Sequence, residues 1–421
     1  MIEQAATAEQ QQQPRGRIPL RSTAPFRKLL RDYFVDLNRA AEDPTRKVAW
    51  LSSVGPVELV RGMGFEVYFP ENHGALLGAT RTAARYIPHA VSEGYSPDIC
   101  SYLTSDIGAD LAGKSPLQKA YGIPGPPRPD VLVYSTNQCR DVGDWWDYYG
   151  RKFRVPVVSV HPPSMLDHVG SEHVRVVQAE HNRVRKDLEA ITGRKLDPDL
   201  LRETVALSRE SALLWREVLN FCRHQPSPFT FFDGVIHMAP IVLMRGTRAA
   251  TDYYRLLIAE LAERVRDNVA AVPGENLRLY WEGMPVWGAL RELSTLFFQM
   301  KAAVVASTYC NTWAFDQLDP DAIGQSMARA YTEIFVNRSE PAKLRILQRL
   351  IHDFGVDGII FHDCKTCPSN TNCHYGMPER IHQQLGVPSV VFGGDMTDSR
   401  MFSADQTRTT LESFIEQLNS F

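Results

Sequence analysis

Three cysteines, Cys100, Cys139 and Cys367, are the residues of this 421-residue chain best placed to do chemistry. Each stands in a short polar loop: Ser96-Pro-Asp-Ile-Cys100-Ser, Ser135-Thr-Asn-Gln-Cys139-Arg and His362-Asp-Cys-Lys-Thr-Cys367-Pro-Ser. The last two loops follow apolar runs, Val131–Tyr134 and Gly358–Phe361, which read as buried strands. Ligands of an open parallel sheet collect just beyond the carboxyl ends of its strands. Three thiolates arriving there from distant sequence could hold a metal cluster by three corners and leave the fourth open to substrate.

The other cysteines read differently. Cys222, inside Leu219-Asn-Phe-Cys222, reads as a small buried hydrophobe. Cys310, in Thr308-Tyr-Cys-Asn-Thr-Trp313, also follows a strand, so a ligand role stays open beside the buried one. Cys364, Cys367 and Cys373 form C-x2-C-x5-C, which raises zinc or a dithiol redox pair. Zinc would want four closed ligands, with His362 or His374 as contributors. A ferredoxin-type cluster would want denser spacing in one run. Neither template fits well.

Among carboxylates, Glu71 stands out in Tyr68-Phe-Pro-Glu-Asn-His73-Gly, directly after a predicted strand and hence on the same rim as the cysteines. A carboxylate in an apolar cleft has its pKa raised and can carry protons; the plainer alternative is a helix-capping glutamate followed by a surface histidine. Ser53, in Ser52-Ser-Val-Gly-Pro56, could add a hydrogen bond. The candidate catalytic set is Glu71, Ser53 and His73. Tyr280-Trp-Glu-Gly-Met-Pro-Val-Trp287 also follows a strand, and its aromatics could wall a flat substrate. Gly108-Ala-Asp-Leu-Ala-Gly113-Lys-Ser115 matches the P-loop letter for letter, but that loop needs a strand before its glycines. Here Cys100–Asp106 reads as a helix and Pro116 follows the serine, so nucleotide binding is not expected.

The elements that must position these residues alternate. Phe26 to Ala49 has helical spacing, then Val57–Met63 reads as a helix and Gly64–Pro70 as a strand. Strand Val131–Tyr134, helical Val142–Arg151 and strand Val155–Val160 make a βαβ unit closed by Pro162-Pro163. Ser171 to Cys222 is charged, amphipathic and poor in glycine, with a helix start at Asp197-Pro198, and Thr247 to Ala271 continues the helical pattern. A second alternation has strands Leu277–Trp281, Ala303–Ser307, Gly358–Phe361 and Ser389–Phe392, with helices Pro341–Phe354 and Asp405–Leu418. The expected fold is α/β: two Rossmann- or flavodoxin-like lobes with parallel sheets, over 26–170 and 273–421, and a helical segment over 171–272. Residues 1–25 read as a disordered tail. The two lobes could be related duplicates.

Hydrophobic content of 44% and charged content of 23% are those of an ordinary globular chain. A net charge of −3 argues against nucleic acid as main partner, and no apolar run approaches a membrane span. Seven cysteines are too few for a disulfide scaffold, so a reduced cytoplasm is the expected compartment.

Phe361-His-Asp-Cys-Lys-Thr-Cys367-Pro followed by Gly386-Val-Pro-Ser-Val-Val-Phe-Gly-Gly-Asp395 resembles the carboxyl end of the 2-hydroxyacyl-CoA dehydratase D-component family. Gly94-Tyr-Ser-Pro-Asp-Ile-Cys100-Ser-Tyr resembles that family's first cluster loop, and Ser135-Thr-Asn-Gln-Cys139 its second. Tyr280–Gly288 and Ala306-Ser-Thr-Tyr-Cys-Asn-Thr-Trp313 look most like the B-type subunit of ATP-dependent benzoyl-CoA reductase. The resemblance implies a [4Fe-4S] cluster on Cys100, Cys139 and Cys367, with Cys364 close enough to compete as third ligand. It also implies an active-site carboxylate at Glu71 and a substrate-facing hydroxyl at Ser53. The activity implied is one-electron dearomatisation of an aromatic acyl-CoA, or radical dehydration of a 2-hydroxyacyl-CoA, or electron relay without catalysis. The implied partners are a homologous second catalytic subunit, an ATP-hydrolysing iron-sulfur activator and ferredoxin as upstream donor.

Overall fold

A computed structural model describes residues 18–420 of the chain. Two four-stranded sheets form its frame, and all strand pairs within them are parallel. The first contains β1 (Lys47–Leu51), β2 (Phe65–Tyr68), β3 (Val131–Ser135) and β4 (Val157–Val160), ordered β2-β1-β3-β4. The second contains β5 (Leu277–Glu282), β6 (Ala302–Ser307), β7 (Gly358–Cys364) and β8 (Ser389–Gly394), ordered β6-β5-β7-β8. The order is the same in both, so the expected α/β fold of two lobes is what the chain adopts.

The strands are legible as apolar runs because helices cover parallel sheets on both faces, leaving no wet face to alternate towards. Every residue of β5 and β6 is buried. β8 is the exception: it is an edge strand, and Val391 is exposed. Between the lobes runs a helical segment, with Ser171–Thr192, Pro198–Asn220 and Arg248–Arg266 as its long members. Asp197 caps the second of these, its carboxylate accepting from the backbone N–H groups of Asp199 (2.9 Å) and Leu200 (3.1 Å).

Two boundaries differ from expectation. The first helix is Thr23–Glu42 rather than one reaching Ala49; Pro44 forces Asp43 out of the helical region, and β1 begins at Lys47. Residues 18–25, assigned above to the tail, are tied down. Leu20 is buried, and the backbone N–H groups of Arg21 and Ser22 donate to Glu260 at 2.6 and 2.8 Å. The remainder of that tail, residues 1–17, lies outside the described residues. Among the described residues no helix is long and apolar enough to cross a membrane.

In each sheet the winding order of the strands reverses between its first and third strands. The crevice at that reversal is where an open α/β sheet binds ligands. The loops beyond β1 and β3 carry Ser53 and Cys139; those beyond β5 and β7 carry Met284 and Cys367. All four line one cavity between the lobes.

Candidate metal centre

The cavity encloses about 360 Å³, and Cys100, Cys139 and Cys367 all reach it. Cys139 and Cys367 arrive from the strand-end loops. Cys100 comes differently, as the residue that starts helix Ser101–Leu111. Its backbone N–H donates to Asp141 Oδ2 at 3.0 Å, which ties it to the Cys139 loop. Ser101 N–H donates to Thr366 Oγ1 at 3.1 Å, which ties it to the Cys367 loop across the lobes. Three loops from three parts of the chain are thereby cross-braced.

Burial raises all three thiols above their ordinary range; neighbouring sulfurs add to it at Cys100 and Cys367, and the Asp141 and Glu71 carboxylates at Cys139. Cys139 is pushed up to about 11 and Cys367 to about 12, while Cys100 moves in the same direction. A bound metal reverses this by taking the thiolate and releasing the proton. The surroundings suit thiolates once a positive centre is present. Backbone N–H groups of Leu103, of Asp141 and Val142, and of Asn370 donate to the three sulfurs in turn. Such hydrogen bonds are one of the means by which a protein sets a cluster's potential. Among the described residues that line the cavity there is no fourth cysteine and no histidine. The donor set is three sulfurs facing an open space, and it fits a cluster held by three corners.

Cys364 is not part of this set. Its thiol is buried and directed at Asp395 Oδ2, 3.8 Å away, and it does not line the cavity. The three sulfurs of C-x2-C-x5-C have three different surroundings. Cys364 meets Asp395 and Cys367 meets the cavity. Cys373 lies with Asp363 and His374 near the surface, their ligand atoms within 4.8 Å of one another. His362 is buried and bonds Met284 O through Nδ1 at 2.6 Å. Cys222 donates to Phe229 O at 3.3 Å, and Cys310 packs against Gly234; both are core residues.

Of the three catalytic candidates, Glu71 and Ser53 line the cavity and His73 does not. Glu71 is in the first turn of helix Pro70–Ala79. Its Oε1 accepts from Ser53 N–H at 2.8 Å and Gln138 Nε2 at 3.0 Å, while Oε2 is buried without a partner. Burial raises its pKa above the ordinary 4.5 by more than those hydrogen bonds lower it. His73 corrects the surface reading offered for it. It is buried, with Nδ1 2.5 Å from Asp106 Oδ1 and Nε2 2.9 Å from Ser115 Oγ. Asp106 also accepts from Trp145 Nε1 and the Tyr149 hydroxyl, so His73 completes a structural network. Two positions on from Glu71, a helical side chain leaves from nearly the opposite side of the helix.

Several cavity residues were not singled out from sequence. Tyr309, beyond β6, is hydrogen-bonded to Tyr102, which accepts from Trp287 Nε1. Thr308 donates to Glu282, a fully buried carboxylate whose pKa is raised to about 6 by desolvation. Asn372 Nδ2 donates to the same carboxylate at 2.6 Å, and its Oδ1 accepts from Lys343 Nζ at 3.0 Å. The sequence signal for this network was a glutamate at the carboxyl end of an apolar strand. Much of the remaining wall is apolar, with Phe26, Leu30, Phe34, Val235, Met238 and Trp313; Asp141, Thr312, Ser369 and Asn370 also line it, and among the described residues no lysine or arginine does.

Comparisons with known proteins give the family. A family model described as "2-hydroxyglutaryl-CoA dehydratase, D-component" matches residues 52–418. The chain is 27% identical to the (R)-phenyllactyl-CoA dehydratase alpha subunit of Clostridium sporogenes, over 89% of this chain and 90% of that protein. It is 29% identical to the (R)-2-hydroxyisocaproyl-CoA dehydratase alpha subunit of Clostridioides difficile, over 92% and 94%. It is also 29% identical to the B-type subunit of benzoyl-CoA reductase from Thauera aromatica, over 83% of each chain. With two matching parallel lobes, three convergent thiols and a family match across most of its length, this chain belongs to the 2-hydroxyglutaryl-CoA dehydratase D-component family.

Proposed function

We propose that the chain is the catalytic subunit of a benzoyl-CoA-type reductase. On this reading Cys100, Cys139 and Cys367 hold a [4Fe-4S] cluster, and the cavity beside them receives an aromatic acyl group as its CoA thioester. The observation that carries the reading is the cavity wall. It brings together three thiols, the carboxylates of Glu71 and Asp141 and a mainly aromatic and aliphatic surround, with no lysine or arginine among the described lining residues. When bound, the cluster supplies single electrons at an iron that has no protein ligand.

The protein's own residues do the rest. The apolar wall excludes water and holds a flat ring. Glu71 stores a proton at Oε2, its raised pKa keeping that proton on the group to higher pH than an exposed glutamate would. The Ser53 backbone and Gln138 fix the carboxylate from the other side. Two electrons and two protons added to the ring give a cyclic diene with the thioester intact. Such a reduction is strongly uphill, so the reading brings with it an ATP-hydrolysing iron-sulfur activator fed by ferredoxin, and a homologous second subunit. The names of all three relatives denote subunits.

A second reading, radical dehydration of an apolar 2-hydroxyacyl-CoA, is favoured by the dehydratase relatives that cover about nine-tenths of the chain. Both readings take an uncharged acyl group, because no lysine or arginine among the described lining residues offers a cation to a distal carboxylate. The experiment is anaerobic purification with iron and sulfide analysis, EPR with and without benzoyl-CoA, and product analysis in the reconstituted system. About four irons per chain, a signal that moves with benzoyl-CoA and a diene product are expected. Enoyl-CoA from an apolar 2-hydroxyacyl-CoA, with no diene, would replace the first reading by the second. No iron would overturn both.

A further inference from the structure

Strand β7 sends its last two side chains to opposite sides. Cys364 turns inward to Asp395, and Asp363, the residue before it, turns to the partly exposed side, as the alternation of a strand requires. The chain then loops through Cys367 and returns to the end of the strand, where it sets Cys373 and His374 beside Asp363. One ligand atom from each of the three lies within 4.8 Å of the other two. All three can be reached from solvent, Asp363 and Cys373 being half-buried and His374 exposed. The returning segment is braced. Thr371 Oγ1 lies 3.0 and 2.9 Å from the carbonyl oxygens of Cys364 and Cys367, and Asn372 is fixed between Glu282 and Lys343.

A carboxylate, a thiol and an imidazole gathered at this separation are donors that a zinc-class divalent cation takes. Four-coordinate zinc has bonds of about 2.0–2.3 Å, which sets its ligand atoms about 3.3–3.8 Å apart. His374 Nε2 and Asp363 Oδ1 are 2.7 Å apart across a hydrogen bond. That pair opens slightly to admit an ion, and side-chain rotations bring the three donors onto it. The other carboxylate oxygen, Oδ2, accepts from Lys365 Nζ, the kind of outer partner that orients a ligating carboxylate. We propose that Asp363, Cys373 and His374 bind a zinc-class divalent cation, with water in the fourth position, at a site separate from the three-thiol centre. The Cys373 thiol passes its proton to solvent as the metal takes the sulfur. The segment from Asp363 to His374 then becomes a loop closed by a metal, with Cys367 between its ends. Three protein ligands and an open position at the surface make loading reversible, a clasp that follows the metal supply.

The probe is cobalt(II), which takes zinc's ligands and reports them by its colour. The anaerobically purified full chain is titrated with cobalt chloride as wild type, C373S, H374A and C367S. Unchanged urea unfolding without added metal establishes that each variant is folded; H374A, an exposed position, keeps the test open should C373S fail to fold. Wild type is expected to show thiolate-to-cobalt charge transfer with the intense visible bands of a four-coordinate ion, and equimolar zinc to bleach both. C373S should lose the charge-transfer band, and H374A should bind at least about tenfold more weakly. C367S should keep the band. No charge-transfer band in wild type, or one that survives in C373S, would overturn the site. A band lost in C367S and kept in C373S would do the same, by placing the ion at the cavity. None of these outcomes uses the iron content, so the cluster reading stands or falls separately.

Discussion

Glu71 has one oxygen held by Ser53 and Gln138 and the other bare, and its titration should be visible in stability. Its folded pKa lies above the ordinary 4.5 because burial penalises the charge. Between the unfolded and folded values the native state binds the extra proton. This contribution is therefore complete below 4.5 and is lost as pH rises through the folded value. E71Q keeps the accepting oxygen and removes the slope, so the variant should gain on wild type in urea unfolding as pH rises from about 4.5. A flat difference between the two proteins would show that Glu71 is not desolvated. The cysteines divide just as sharply. C367S should abolish iron binding, whereas C364S should retain it at a modest cost in stability, as measured by iron content after anaerobic purification. At this scale the sequence marked Cys139, Cys367, Glu71 and Ser53 as cavity residues by residue type and strand-end position, and Cys100, which starts a helix, by its loop alone. It offered a surface position for His73, which is buried, and did not single out Tyr309 or the Glu282 carboxylate. Which way a side chain leaves a helix or strand depends on what packs there, and neighbours distant in sequence decide that.

Gly108, the first glycine of the P-loop look-alike, shows how an element overrides a motif. It lies inside helix Ser101–Leu111, and a Cβ there would come within 2.0 Å of the Tyr86 carbonyl oxygen of the neighbouring helix Ala83–Ser92. Gly74 does the same service against Tyr102, where a Cβ would meet the Tyr102 Cβ at 2.9 Å. These glycines let three short helices close behind the Cys100 loop. Helix propensity alone predicts that G108A stabilises by about 1 kcal/mol. The contact predicts the opposite sign, a loss of about 1–3 kcal/mol, and thermal or urea unfolding decides between them. The strands were legible because a buried parallel strand is a short apolar run, whatever its partners. Helix ends were legible only where proline or an Asp-Pro start wrote them, as at Asp197. The first helix was read too long because its apolar spacing runs on into β1, and Pro44 was the sign that it stops.

Glu58, Arg245 and Tyr331 join the first lobe, the helical segment and the second lobe in one fully buried contact. Arg245 Nε is 2.9 Å from Glu58 Oε1 and Nη2 is 3.0 Å from the Tyr331 hydroxyl, which in turn donates to Glu58 Oε2. Removing one charge strands the other away from water, so R245M should cost about 3–5 kcal/mol in urea unfolding. Replacing Glu58 as well, in E58M/R245M, should recover most of that loss, because no ion then remains unpaired. The sequence disclosed two α/β lobes and a helical segment between them. It did not disclose this contact, since nothing in the spacing of Glu58, Arg245 and Tyr331 relates them. The division of the sulfurs has a consequence for biosynthesis. Cys100 and Cys139 leave the ribosome with the first lobe, but Cys367 appears only after the helical segment and most of the second have been made. A half-made chain offers two thiols and no enclosed space. On the proposed reading, cluster insertion would have to wait until synthesis is nearly finished and the lobes have met. Any delay in their meeting leaves two exposed sulfurs open to oxidation.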